Sequence, residues 1–309
     1  MTLPPKAPPF PTVEATAEAL DGADYLADRE TVVVGWLAGQ LGRPLLIEGP
    51  PGVGKTELAK AVARASGRPL LRLQCYEGLD EAKALYEWEY GKQMLYTQLV
   101  RDAVAQTVAG ANDLTEAVER VARHEAAFFH ERFLVERPLL ASLRSETPVV
   151  LLVDEVDRGD PELEAMLLEV LSDFSVSVPE LGTLEARSHP YVVLTSNATR
   201  ELTEALRRRC LHLVLDFPSE KRELAIVRRR VPEASEALTE ALVRFVQSIR
   251  TLSLRKTPSV AETLDWARSL VLLGARALDP TQVRETLGVL LKHGEDARRV
   301  ERELGKHLR

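Results

Sequence analysis

The sequence predicts an α/β fold, a parallel sheet flanked by helices, followed by a separate all-α lid domain. Three observations predict it. The segment RPLLIEGPPGVGKTELAKAVARASG (Arg43 to Gly67) runs from a short apolar stretch through a glycine-rich turn into a helix-period pattern, the strand–loop–helix order of a phosphate-binding unit. Further short runs of leucine and β-branched residues recur downstream, as in strands buried on both faces of a parallel sheet. From Ser219 onward no strand pattern returns.

The chain of 309 residues, 45% hydrophobic, is long enough for one large and one small domain. Residues 1–12 read as a proline-rich arm, because repeated proline fixes φ and removes backbone donors; an α/β domain is expected over 13–218 and the helical lid over 219–309. Within the α/β domain, PLLRLQC (Pro69 to Cys75), VVLLVDE (Val149 to Glu155) and YVVLTSN (Tyr191 to Asn197) follow the first strand as further strands. The long interval from Tyr76 to Thr147 exceeds a simple crossover, and its helical periodicity, in YEWEYGKQMLYTQLVRDAV and HEAAFFHERFLVERPLLASL, predicts inserted helices. Phe174 to Ser188 alternates apolar and polar residues around Pro179 to Gly182, which predicts a hairpin. After ELTEAL and Arg207 to Arg209, CLHLVLDFP reads as another buried strand. The stretches after Val231, Ser259 and Asp279 read as amphipathic helices.

Charge and composition narrow the function. A net charge of -7 repels phosphate backbones, so nucleic acid is disfavoured as the bulk partner. No apolar run approaches the roughly 20 residues of a spanning helix, and the N-terminus has no apolar signal core. Two cysteines, Cys75 and Cys210, are too few for a disulfide framework and too far apart for a C-x-x-C site, which suits a reducing, cytoplasmic location.

Gly49, Pro50, Pro51, Gly52, Val53, Gly54, Lys55 and Thr56 complete G-x-x-x-x-G-K-[S/T] between a strand and a helix, with Glu57 opening the helix behind it. Such a loop turns backbone N–H groups toward phosphate, so ATP is the expected ligand, with Lys55 on the β- and γ-phosphates and Thr56 on Mg²⁺. Asp154 and Glu155 end an apolar strand at the sheet edge where open α/β folds bind ligands: Asp154 suits Mg²⁺, Glu155 the attacking water. Asn197 ends the next strand, where a neutral amide can hold both a phosphate oxygen and water.

These motifs, in this order, resemble the MoxR family of AAA+ ATPases from about Ala19 onward. The segment DEVDRGDPELEAMLLEVLSD (Asp154 to Asp173) is similar to the family's Walker B strand and following helix, Phe174 to Ser188 to its pre-sensor hairpin, and CYEGLDEAKALYEWEYGKQ (Cys75 to Gln93) to the CoxD-like branch, linked with metalloenzyme maturation. The resemblance implies Asn197 as sensor 1 and an arginine finger at Arg209, or Arg208, acting on a neighbouring subunit's ATP. It further implies a homo-oligomeric, hexameric ring, a client protein or metalloenzyme that it remodels, and a von Willebrand factor A domain protein as companion. Where the family carries a sensor 2 arginine this chain has Val260, leaving Arg255 or Lys256 as the nearest cations; Arg158 is expected to pair with Asp154 or Asp160, or to reach a neighbour. The alternative function is a nucleic-acid-handling AAA+ motor, which the acid-rich Cys75 to Gln93 segment disfavours. A small-molecule kinase would need an acceptor lid, and a GTPase would need Asn-Lys-x-Asp, which neither Asn112 nor Asn197 begins.

Overall fold

The structure is a computed structural model and describes residues 7–79, 81–89, 91–92, 94–95, 134–178 and 182–307. Thr12 caps α1 (Val13–Gly22) and Asp28 caps α2 (Arg29–Leu41), each hydroxyl or carboxylate accepting an N–H that the first turn leaves free. The left-handed Gly42 ends α2 and turns the chain into β1 (Leu45–Glu48), which leads through the glycine-rich loop to α3 (Lys55–Ser66) and β2 (Leu70–Gln74). Further along come β5 (Val150–Asp154) and β8 (Tyr191–Ser196), then α7 (Glu204–Arg209) and β9 (Leu211–Val214). These five strands form one parallel sheet in the order β2-β5-β8-β1-β9.

Alternation along the strands feeds two cores. Leu45, Ile47, Val150, Leu152 and Val193 face a core shared with α1, α2 and α3, whereas Leu46, Leu151, Val153, Val192 and Leu194 face the opposite one. That second core is completed by α4 (Glu81–Leu85), α5 (Pro138–Arg144) and α6 (Pro161–Asp173). Burial on both faces holds for β1, β5 and β8 but not for β2 and β9, because sheet order puts those two at the edges: Arg72 and Gln74 on β2, and His212 and Val214 on β9, are exposed. The arm expected outside the fold is partly packed within it. Phe10 is buried in the first core, and its carbonyl accepts from Gln40 Nε2 at 2.9 Å.

Two short pairings modify the expected insert. Tyr86–Trp88 (β3) and Leu134–Glu136 (β4) pair antiparallel where helical periodicity was read, since a three-residue pair is too short to leave a period of its own. Of the expected inserted helices, α5 forms at the end of the second stretch and α4 forms ahead of the first, while residues 96–133 lie outside the described residues. The hairpin forms from β6 (Ser175–Val178) and β7 (Gly182–Glu185); its turn at 179–181 also lies outside them.

The helices after Ser219 bury a third core around Trp266 and Phe245, whose rings lie 5.3 Å apart. They are α8 (Glu220–Arg230), α9 (Glu236–Arg250), α10 (Val260–Leu272), α11 (Pro280–Leu290), α12 (Gly294–Arg302) and α13 (Leu304–His307). Inside this bundle the fully buried Glu223 accepts from Arg250 Nη1 and Nη2 at 2.6 and 2.7 Å, from Gln247 Nε2 at 2.7 Å and from Thr263 Oγ1 at 2.9 Å. Arg250 also lies 4.9 Å over Phe217, in the segment that joins sheet and bundle. Two arginines of α8 reach back to the α/β domain: Arg222 donates to the Leu26 carbonyl and Asp28, and Arg229 pairs with Asp21.

Candidate nucleotide-binding site

The loop Gly49 to Gly54 has a shape that only glycine permits at its critical points. Gly49, Gly52 and Gly54 have φ of 150°, 77° and 104°. A side chain on Gly49 would meet the Leu215 carbonyl at 1.9 Å, and one on Gly52 would meet Ser259 of the lid at 2.4 Å. Lys55, only 6% exposed, caps the loop from within: Nζ donates to the Gly49 and Pro50 carbonyls at 2.6 and 2.8 Å and to Asn197 Oδ1 at 2.8 Å. Burial lowers the Lys55 pKa from its ordinary value, while Asp157, Asp154 and Glu155 work to raise it.

Every candidate from the strand ends arrives in this place. Asp154, 2% exposed, accepts at Oδ1 from Thr56 Oγ1 (2.9 Å) and Thr195 Oγ1 (2.5 Å), and at Oδ2 from Arg72 Nε (3.0 Å). A hydroxyl and a carboxylate so placed suit a hard, oxygen-seeking cation. Glu155 has φ 56°, a left-handed conformation uncommon for glutamate, held by its own N–H donating to Thr195 Oγ1 at 2.9 Å. Its carboxylate takes Asn197 Nδ2 at 3.1 Å on one oxygen and Gln74 Nε2 at 3.1 Å on the other. Asn197 therefore bridges Lys55 and Glu155, its amide oxygen accepting from one and its amide nitrogen donating to the other.

Asp157 fixes that bridge from behind. It accepts from the N–H of Asn197 at 3.1 Å and from the N–H and Oγ1 of Thr199 at 3.0 and 2.6 Å. Burial alone would raise its pKa; these hydrogen bonds outweigh burial and hold it below the ordinary value. Arg158 pairs with Glu155, at 3.2 Å, and not with Asp154 or Asp160, because the short 3-10 turn Val156–Arg158 folds it back over the residue three before it.

The basic cluster lies elsewhere. β9 begins with Leu211 paired to Leu45, so Arg209 stands at the opposite end of β1 from the phosphate loop, about 13 Å along the strand. Arg207 pairs with Glu48 and Arg208 with Glu204, while the Arg209 side chain is exposed and has no partner among the described residues. Of the candidate sensor 2 cations, Lys256 donates to Glu262 Oε1 at 2.7 Å and Arg255 is exposed.

Beside the loop opens a pocket of about 300 Å³ that sequence reasoning missed. Its apolar wall comes from Tyr25, Leu26, Val53, Leu215, Ile226 and Leu264, and its rim carries Arg222, Arg230 and Arg268 with Asp216 and Asp265. These residues are drawn from both ends of the chain, so no contiguous motif announces them. The one local signal is Val260, whose apolar side chain, standing in for the cation expected there, joins this wall.

Residues 44–210 match the AAA domain (dynein-related subfamily), more than half of the chain. The chain belongs to that family. The MoxR-type AAA+ resemblance of its motifs agrees with this, and the family carries nucleotide binding with it. The gas vesicle ATPase GvpN of Haloferax mediterranei is 28% identical to this chain over 80% of the chain and 64% of its own length. Protein NorQ of Paracoccus denitrificans is 28% identical over 76% of the chain and 74% of its own. The chain thus spans less than two thirds of the length of GvpN. A solved structure of a Thermotoga maritima RuvB variant, 18% identical, aligns over 93% of the chain and 74% of its own with a TM-score of 0.47. Among the described residues no helix is long and apolar enough to cross a membrane.

Proposed function

We propose that this AAA ATPase hydrolyses ATP at the interfaces of a homo-oligomeric, hexameric ring in the cytoplasm and uses the motion to remodel or mature a client protein or metalloenzyme. The observation that carries the reading is the linkage Lys55–Asn197–Glu155 beside Thr56–Asp154, which gathers a phosphate-binding cation, a water-holding amide and two differently placed carboxylates within one loop's reach. ATP phosphates lie in the loop Gly49 to Glu57, under the N–H groups that open α3, and the base and ribose lie in the pocket bounded by Tyr25, Leu215 and Leu264. Thr56 and Asp154 would hold Mg²⁺, which would supply charge neutralisation on the bound phosphates. Glu155 orients and polarises the attacking water, and Asn197 senses the γ-phosphate through the amide it shares with Lys55.

Because Arg209 stands at the far end of β1, it cannot complete its own chain's site and is assigned to the neighbour's, with Arg208 tied to Glu204 as the lesser candidate. Burial pushes the thiols of Cys75 and Cys210 up to about 12, so neither is a nucleophilic thiolate at neutral pH. A metalloenzyme client and a von Willebrand factor A domain companion rest on the MoxR and CoxD-like resemblance. The test is calorimetry with two variants. Lys55→Ala is expected to lose ATP binding, and Glu155→Gln to bind ATP without turning it over; equal loss in both would overturn the roles. Affinity capture with ATP-loaded Glu155→Gln then identifies the client.

A further inference from the structure

Arg43 lies between the left-handed Gly42 that ends α2 and the first residues of β1, outside every motif of the nucleotide site. Its guanidinium nevertheless makes a three-point contact with one element. Nη2 donates to the Arg208 carbonyl at 2.6 Å and to the Cys210 carbonyl at 3.2 Å, and Nε donates to the Arg209 carbonyl at 3.1 Å. These are the carbonyls that a helix leaves without partners at its C-terminus, and α7 is only six residues long, with little internal bonding to hold its end in place. A planar fork can satisfy several such oxygens at once, which an ammonium cannot.

A second tie fixes the same helix from the side. Arg207 Nη1 donates to Glu48 Oε1 at 3.1 Å, and Glu48 Oε2 lies 2.5 Å from His212 Nε2. Glu48 directly precedes Gly49, the first residue of the phosphate loop. Arg207 and Arg208 are thus engaged within the chain, and the backbone on both sides of Arg209 is anchored while its side chain is left free to point outward.

We infer that Arg43 is the positioning residue for the arginine this chain offers to a neighbouring copy. By holding the carbonyls of residues 208–210 it fixes the root of Arg209, and through the adjoining Arg207–Glu48 pair that root is tied to the chain's own phosphate loop. The inference rests on the trans reading of Arg209, and the test separates the two.

Arg43→Lys keeps the positive charge at the end of α7 but not the fork. It is expected to fold and melt as the parent chain does and to bind ATP with unchanged affinity by calorimetry, while hydrolysis at saturating ATP falls about tenfold or more. Mixing assigns the defect to one side of the interface. An Arg43→Lys subunit keeps its own Lys55, Asp154 and Glu155, so in co-purified mixed rings with Glu155→Gln it receives a well-placed arginine and hydrolysis returns. Mixed with Arg209→Ala, neither partner offers one and hydrolysis stays low. Full activity of Arg43→Lys alone overturns the inference, as does a joint loss of melting temperature, ring assembly and ATP affinity, which marks an ordinary helix cap. If Arg209→Ala with Glu155→Gln recovers but Arg43→Lys with Glu155→Gln does not, the role of Arg43 falls and the trans arginine stands. If Arg209→Ala with Glu155→Gln also fails, both fall together.

Discussion

Two side-chain positions decide whether the site keeps its shape. Gly52 has φ 77°, and an added methyl would lie 2.4 Å from Ser259, the residue that caps α10 of the lid. Gly52→Ala therefore carries a left-handed penalty of about 1–2 kcal/mol and also drives the lid from the phosphate loop. ATP affinity by calorimetry is expected to fall about tenfold or more, and an unchanged affinity would show that the lid does not close on this glycine. Asp157 acts through charge. Its folded pKa lies below the ordinary carboxylate value, because Thr199 and Asn197 donate to it against the effect of burial. A depressed carboxylate pKa contributes stability that is present above the unfolded pKa, near 4, and is lost as pH falls through the folded value. Asp157→Asn should cost about 1–3 kcal/mol at neutral pH and flatten the acid limb of the stability profile; denaturant melts from pH 3 to pH 7 measure both. A variant whose acid limb matches the parent's would show that another group governs it.

At the scale of elements, the lid's integrity depends on one ion pair. Glu223 on α8 is fully buried, and Arg250 on α9 meets both of its oxygens while also donating to the Pro258 carbonyl ahead of α10. Removing one partner leaves the other charge buried and unpaired, at a cost of about 3–5 kcal/mol, so Arg250→Met should be strongly destabilising. Glu223→Gln paired with Arg250→Met should recover part of that loss, because no lone charge remains; a double variant no better than the single would refute the reasoning. This network was not legible in the sequence, since a glutamate and an arginine 27 residues apart resemble any two surface charges on amphipathic helices. The phosphate loop and the Asp154–Glu155 strand end were legible, because phosphate chemistry demands contiguous residues at fixed spacing and the strand–loop–helix context is local. The pocket wall was not, because Tyr25, Leu215 and Leu264 become neighbours only through the fold. The edge positions of β2 and β9 escaped for a related reason: leucine-rich runs announce strands, but sheet order decides which of them have a second neighbour.

For the whole molecule, charge and topology make separate demands. With a net charge of -7, DNA or RNA should bind weakly and with steep salt dependence, and hydrolysis at physiological salt should hardly respond to either. Strong stimulation would favour a nucleic-acid motor over a protein remodeller. Topology makes the sharper demand. The parallel register of β1 with β9 sets the phosphate loop at one end of β1 and Arg209 at the other, so under the proposed trans role of Arg209 a single chain is unable to complete its own site. Hydrolysis per subunit should then rise steeply with protein concentration across the range in which copies assemble, whereas ATP binding, proposed to use Lys55, Thr56 and the pocket of one chain, should not. An arginine supplied in trans can contribute about 10³ or more to kcat, so the low-concentration rate should match that of Arg209→Ala at any concentration. Following turnover and sedimentation on the same dilution series decides the matter. A rate per subunit that stays constant while the copies dissociate would show that each chain hydrolyses alone, and Arg209 would then be only a basic residue at the end of α7.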